Sequence, residues 1–253
     1  MVCILGSYSY NLSSKLLAEY LGSLFLVVSA ISPILLLYHE LGTPIAIAVF
    51  GDAIAVAFVL AALIEALGPI SGAHFNPIVS FAFYYFKKLT LKELILFIIV
   101  QILGGISGTI ISHVMFIKLN GNLIVISEVT RDGGVFIAEI IGSFILVLII
   151  LLLVHNDSKD IPLKVGILVG GMLVSTSSTM FANPQVTIAR MFTYSAAGVS
   201  IANGIIFIIM QIAGMVLAIV AYSLLINPIS SIEEVPQSVG YPSIKQGSEQ
   251  GYD

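Results

Sequence analysis

The chain has 253 residues, of which 58% are apolar and 9% charged, with a net charge of −4 and a mean hydropathy of +1.08. A soluble domain carries about 25% charged residues, so this chain cannot cover a water-facing surface, and no basic run points to nucleic acid. Cys3 is the only cysteine, which excludes an intrachain disulfide, and with Trp absent any interfacial belt rests on Tyr and Phe.

Six apolar runs, roughly 16–38, 45–67, 92–115, 135–154, 163–180 and 201–226, are long enough to cross hydrocarbon. Residues 1–15 lack a basic segment followed by a cleavage site and read as a cytoplasmic N-terminus. The first run contains Glu19, and the joint His39-Glu40-Leu41-Gly42-Thr43-Pro44 ends it. The second contains two acids, Asp52 and Glu65. Helix phase puts Asp52 one turn from Val56, toward an outer mouth, and turns Glu65 about half a rotation away, toward a neighbouring helix or subunit. Gly104, Gly105, Ser107 and Gly108 in the third run read as close helix packing. The fourth contains Glu139 and ends at His155-Asn156-Asp157-Ser158-Lys159-Asp160. The segment 227–253, with Pro228, Pro236 and Pro242 among Ser, Glu and Gln, reads as a flexible cytoplasmic tail.

Two stretches fit neither a span nor an ordinary loop. They follow Asn76-Pro77 and Asn183-Pro184, and each is about ten helix-compatible residues, half a bilayer of helix. Non-helical backbone leading to such a depth survives only inside protein or along a wet cavity. An internal repeat frames them. Ala18-Glu19-Tyr20-Leu21-Gly22-Ser23 recurs as Ala138-Glu139-Ile140-Ile141-Gly142-Ser143, and Asn76-Pro77-Ile78-Val79-Ser80 as Asn183-Pro184-Gln185-Val186-Thr187. Gln101-Ile102-Leu103-Gly104 recurs as Gln211-Ile212-Ala213-Gly214. With three spans per half, 16–115 and 135–226, the second half enters upside down, and such repeats put their site near the midplane. Charge asymmetry puts both termini in the cytoplasm: Lys15, Lys87, Lys88, Lys92, Lys159, Lys164 and Lys245 then lie inside, with Lys118, Arg131 and Arg190 outside.

The string Ser71-Gly72-Ala73-His74-Phe75-Asn76-Pro77 resembles the first Asn-Pro-Ala loop of aquaporins, the major intrinsic protein family, and Phe181-Ala182-Asn183-Pro184 resembles the second. Glu19 and Glu139 match the buried acids of that family's first and fourth helices, and the resemblance spans about 16–226. It implies an all-α membrane protein of six spanning helices and two re-entrant half-helices, in one channel domain over 16–226. It also implies a homotetramer in the cell membrane, with no cofactor and no enzymatic activity. Its partners would be the lipid bilayer, water and small neutral solutes. Asn76 and Asn183 would offer amide donors at the positive ends of two half-helices, which breaks a proton wire and repels cations. Glu19, Glu139 and His74 would brace the loops, His74 without binding metal, since a metal site needs several ligands. Both loops depart from the family at the third letter, where Ile78 and Gln185 replace Ala.

Counted from the two Asn residues, the four narrowing positions of aquaporins fall on Val56, Gly171, Met180 and Val186. Most members have Arg where this chain has Val186. Water-selective members add a His on the fifth helix and a bulky aromatic on the second, where Gly171 and Val56 stand here. The resemblance therefore implies a wide, apolar constriction that accepts glycerol-like polyols, urea or neutral metalloid hydroxides such as arsenous acid. The string Ser177-Ser178-Thr179-Met180-Phe181-Ala182-Asn183-Pro184-Gln185-Val186-Thr187-Ile188-Ala189-Arg190-Met191-Phe192 is similar to a prokaryotic subgroup that lacks the filter Arg, some of whose members accompany arsenic-resistance systems. Arg190 lies one turn beyond Val186 on roughly the same face. It is expected to be a helix C-terminal cation at the outer interface, with the outer vestibule, alongside Asp52, as the second possibility. An ion-coupled secondary transporter also uses inverted repeats and broken helices, and would need Asp52 or Glu65 at its substrate site. An intramembrane enzyme would need a motif such as His-Glu-x-x-His, which the sequence lacks.

Overall fold

A computed structural model describes residues 10–226, which contain helices and no strands. Cys3 and the segment 227–253 lie outside the described residues. In chain order the elements are α1 (Leu12–Ile34, continued as a π-helical turn Leu35–Glu40), α2 (Ile45–Ser71), α3 (Pro77–Tyr85), α4 (Leu91–Met115) and the short α5 (Ile117–Asn120). The second half supplies α6 (Val135–His155), α7 (Ile161–Ser175), α8 (Pro184–Arg190) and α9 (Ile201–Leu225). Five of these, α1 with its π-helical turn, α2, α4, α6 and α9, are long and apolar enough to cross a membrane. Their outward faces carry exposed Phe50, Phe58, Ile95, Ile99, Ile141 and Ile209. A water-soluble protein does not tolerate so continuous an apolar exterior, and this is a multi-pass membrane protein.

The fifth span is shorter than the expected 163–180. The helix α7 stops at Ser175, and Thr176 to Ala182 are unwound, with positive φ at Thr179, Met180 and Ala182. The cause is local. Ser175 and Thr176 turn their hydroxyls back onto the carbonyls of Gly171 and Met172, and a run of hydroxyl residues offers the backbone alternatives to the helix ladder.

The repeat organises the packing. Helix α1 pairs with α4, α6 with α9, and α2 with α7. A Cβ at Gly104 or Gly108 of α4 would run into the carbonyls of Tyr20 or Leu24 on α1, and one at Gly214 of α9 into the carbonyl of Ile140 on α6. These glycines let the backbones approach closely, the way helices associate in lipid. The starts of α1 and α4 share one end of the bundle, joined by Lys15 and Glu93 at 3.0 Å. At the other end, the 121–134 segment pairs with the chain after α8. Val125 and Ser127 donate to the carbonyls of Phe192 and Met191, and Ser200 donates to that of Val129.

Candidate functional site

The half-helices α3 and α8 begin at Asn76 and Asn183, each in extended conformation with Pro in the first turn. That proline is pre-set for helix and lacks a donor that would be orphaned there. Each Asn caps its own helix: the Asn76 Oδ1 accepts from Ile78 N, and the Asn183 Oδ1 from Gln185 N, both at 3.1 Å. The amides then cross between loops. The Asn76 Nδ2 donates to the Ala182 carbonyl at 2.9 Å, and the Asn183 Nδ2 to the Phe75 carbonyl at 2.8 Å. An amide nitrogen has two hydrogens, so each Asn retains one donor beyond this clasp, and both residues line the same cavity.

The loops before the two asparagines hold Ala73, Phe75, Thr179, Met180 and Ala182 at positive φ. Such non-glycine geometry costs about 1–3 kcal/mol per residue and persists only when the surroundings enforce it. The buried glutamates do so. Glu19 accepts from the Ser71 hydroxyl, from the backbone N–H groups of His74 and Phe75, and from the Gln101 amide, at 2.7–2.9 Å. Glu139 accepts from the N–H groups of Phe181 and Ala182 and from the Gln211 amide, at 2.6–2.9 Å. Gln101 and Gln211 also reach Ser80 and Thr187 on the half-helices, so each glutamine bridges an acid to a half-helix. This bridging role was not assigned from the sequence, although the paired polar residues in apolar spans were its signal. Gly22 and Gly142, one turn from the acids, leave room for Phe75 and Met180. The His74 ring lies 3.1 Å from the Ser80 hydroxyl and stacks on Phe83. Among the described residues no cluster of His, Cys, Asp and Glu could hold a metal.

A cavity of about 120 Å³ passes the two asparagines. Its wall is mostly apolar, with Val56, Leu60, Ile64, Val79, Leu146, Ile150, Val165, Val169, Leu173, Met180 and Val186, beside the polar His74, Thr179 and Arg190. Val56, Met180 and Val186 thus lie on its wall. Gly171 does not: it is exposed, with open space where a Cβ would point. The inward face of α7 is Val165, Val169 and Leu173, and two residues of helix, about 200°, turn Gly171 to the outside. Glu65 is likewise exposed and off the cavity wall. Gln185 also reaches the opposite loop: its amide donates to the Phe75 carbonyl at 3.3 Å, and its oxygen lies where a side chain on Gly105 would sit.

Arg190 is not an interfacial cation. It is 3% exposed, donates to the Ala30 carbonyl at 2.6 Å, lies 3.5 Å from the Asp52 carboxylate, and stacks 4.4 Å from the Phe181 ring centre. Asp52 is equally buried. The interface was expected because a cation at a helix end is normally solvated; here the carbonyl, the carboxylate and the ring replace water. Beyond this pair lies a second cavity of about 290 Å³, the outer vestibule in the expected orientation, lined by Asp52, Thr179, Arg190, Arg131, Val129, Ala196 and Ala197 among others. Arg131 faces Phe181 at 5.3 Å. Burial, then the charge of Arg190, push Arg131 down to about 10, so it stays cationic at neutral pH.

Comparison with known proteins agrees with this geometry. Residues 7–182 match the family described as "Major intrinsic protein", a match that ends just before Asn183. The chain is 32% identical over 219 residues to Aquaglyceroporin AqpS of Rhizobium meliloti, covering 87% of this chain and 93% of that protein. It is 29% identical over 181 residues to human Aquaporin-1, covering 68% of this chain and 66% of that protein. The aquaglyceroporin from Plasmodium falciparum shares the fold, with a TM-score of 0.62 at 20% identity over 85% of this chain and 95% of that one. The clasped Asn-Pro half-helices, the glutamate braces and these likenesses agree: the chain belongs to the major intrinsic protein family, whose members are membrane channels rather than enzymes.

Proposed function

We propose that the protein passively conducts water and small uncharged solutes, among them glycerol-like polyols, urea and neutral metalloid hydroxides such as arsenous acid, while excluding protons and ions. The observation that carries this reading is Val186, which lines the cavity together with Val56 and Met180 and brings no charge to it. An apolar ring of that kind does not hold water in a narrow donor-lined file, so compact neutral solutes can enter. The donors of Asn76 and Asn183 would orient each passing water and interrupt proton transfer. The likeness to a protein named an aquaglyceroporin supports the same solute class.

In this reading the channel domain is 16–226, both termini are cytoplasmic, and four copies assemble in the cell membrane with one pore each. The geometry favours this reading over the ion-coupled alternative, whose candidates are Asp52, paired with Arg190, and Glu65, off the cavity wall. The test is stopped-flow swelling of proteoliposomes with wild type and Val186→Arg. The arginine should cut glycerol and arsenous acid flux sharply and spare water more. Wild-type vesicles that pass water but exclude every larger neutral solute would overturn the reading.

A further inference from the structure

The chain lacks an arginine at position 186, yet a buried guanidinium lies one turn further out. We propose that Arg190, oriented by Asp52, is the solute-contacting filter residue of this protein and supplies its polar, cation-repelling collar from the floor of the outer vestibule. The inference rests on the channel reading and assigns the polar half of its selectivity.

Position is the first argument. Thr179 and Arg190 are the two residues common to the walls of the central cavity and the outer vestibule. A solute that moves from one space to the other passes them. Four helical residues separate Arg190 from Val186, so the collar sits about 6 Å outside the apolar ring.

The second argument is that the group is built and aimed. The Ala30 carbonyl, the Asp52 carboxylate and the Phe181 face fix the guanidinium from three sides. Those contacts leave the Arg190 Nε and the Asp52 Oδ1 without a protein partner, although both side chains are about 96% buried. A buried ion pair is a poor device for stability alone, since an apolar pair of the same volume often does as well. Incomplete pairing makes it poorer still, because each unmet polar atom has a desolvation cost. The unmet atoms are themselves closed to a solute; what lines both spaces is the rest of the Arg190 side chain, held in place by Asp52.

The chemistry selects a class of solute. A neutral molecule with hydroxyl oxygens can accept from the Arg190 guanidinium as it passes. Polyols and neutral oxyacids fit that pattern. A metal cation that approaches the carboxylate meets the guanidinium, with Arg131 as a second cation near the same Phe181 ring.

The experiment uses the full chain in liposomes. It compares wild type with the double variant Arg190→Gln, Asp52→Asn, which keeps shape and removes both charges. Potassium leak per unit of water flux should rise roughly tenfold or more in the double variant, because a field focused in a narrow path acts on entry at that scale. A ratio within about twofold of wild type, in vesicles that still swell, overturns the inference. Wild-type vesicles that swell but leak potassium as the variant does also overturn it. Vesicles that never swell with wild type sink the channel reading instead. Should the double variant fail to insert, Thr179→Cys in a Cys3→Ser background reads the collar with Arg190 intact. An anionic methanethiosulfonate reagent should modify it several-fold faster than a cationic one, relative to free cysteine. Equal or reversed rates overturn the inference.

Discussion

Replacing Glu139 by Gln keeps the side chain's shape and removes half its accepting capacity. Three donors converge on this carboxylate: Phe181 N on one oxygen at 2.9 Å, and Ala182 N and the Gln211 amide on the other at 2.9 and 2.6 Å. A glutamine has one accepting oxygen, and its best placement keeps the latter two. Its NH2 then faces the N–H of Phe181, donor against donor. An unsatisfied buried N–H costs about 1–3 kcal/mol, and the two remaining bonds lose their charge assistance, about 1 kcal/mol each. The sum is about 3–5 kcal/mol, held against a loop whose Met180 and Ala182 need positive φ. For a chain of this size each kcal/mol shifts the melting point by about 2–4 °C, so Glu139→Gln should melt roughly 10 °C below wild type in detergent. Thermal unfolding followed by intrinsic fluorescence or dye binding measures this. Solute selectivity of the surviving protein should change little. A variant as stable as wild type that selectively loses proton-dependent uptake would refute the bracing role and point to a proton relay.

Asn76→Asp and Asn183→Asp each put a carboxylate beside a carbonyl of the opposite loop and into the cavity; electrical recordings or cation-leak assays should find cations admitted or flow abolished. If both variants keep wild-type flux and ion exclusion, the asparagines do not meet at the barrier. Gly104→Val on α4 drives a side chain into the Tyr20 carbonyl of α1, and overpacking costs about 1–3 kcal/mol, so the yield of folded protein should fall. Unchanged yield and melting would deny the close α1–α4 approach. Mercury should inhibit little through Cys3, and strong block that disappears in Cys3→Ser would mean that the N-terminus reaches the conduction path.

What was legible in the sequence was what the bilayer itself enforces. Glu19 and Glu139 stand in apolar runs, where an acid must find partners, and their recurrence with Asn76 and Asn183 exposed the inverted repeat. Asn-Pro before a half-length apolar stretch signalled a short helix, and helices begin at both prolines; that each Asn also caps its helix was not read from the sequence. Three features were not legible. Counting back from Asn183 to a pore-facing residue crosses Thr176–Ala182, where left-handed residues reset the phase; the count reached Gly171 while Leu173 faces the cavity. The burial of Arg190 depends on Ala30, Asp52 and Phe181, brought together only by the closed bundle. Gln101 and Gln211 were visible as repeated polar residues, but their link between acid and half-helix is a matter of crossing distance.

The central claim is passive passage of uncharged solutes wider than water through a path with no coupling ion. Initial glycerol flux into proteoliposomes, measured over a wide concentration range with and without a proton gradient, tests it most directly. The account predicts flux that rises in proportion to glycerol, does not saturate, and is the same with the gradient collapsed. Flux that saturates and follows the proton gradient, or no glycerol flux beside rapid water flux, would contradict it.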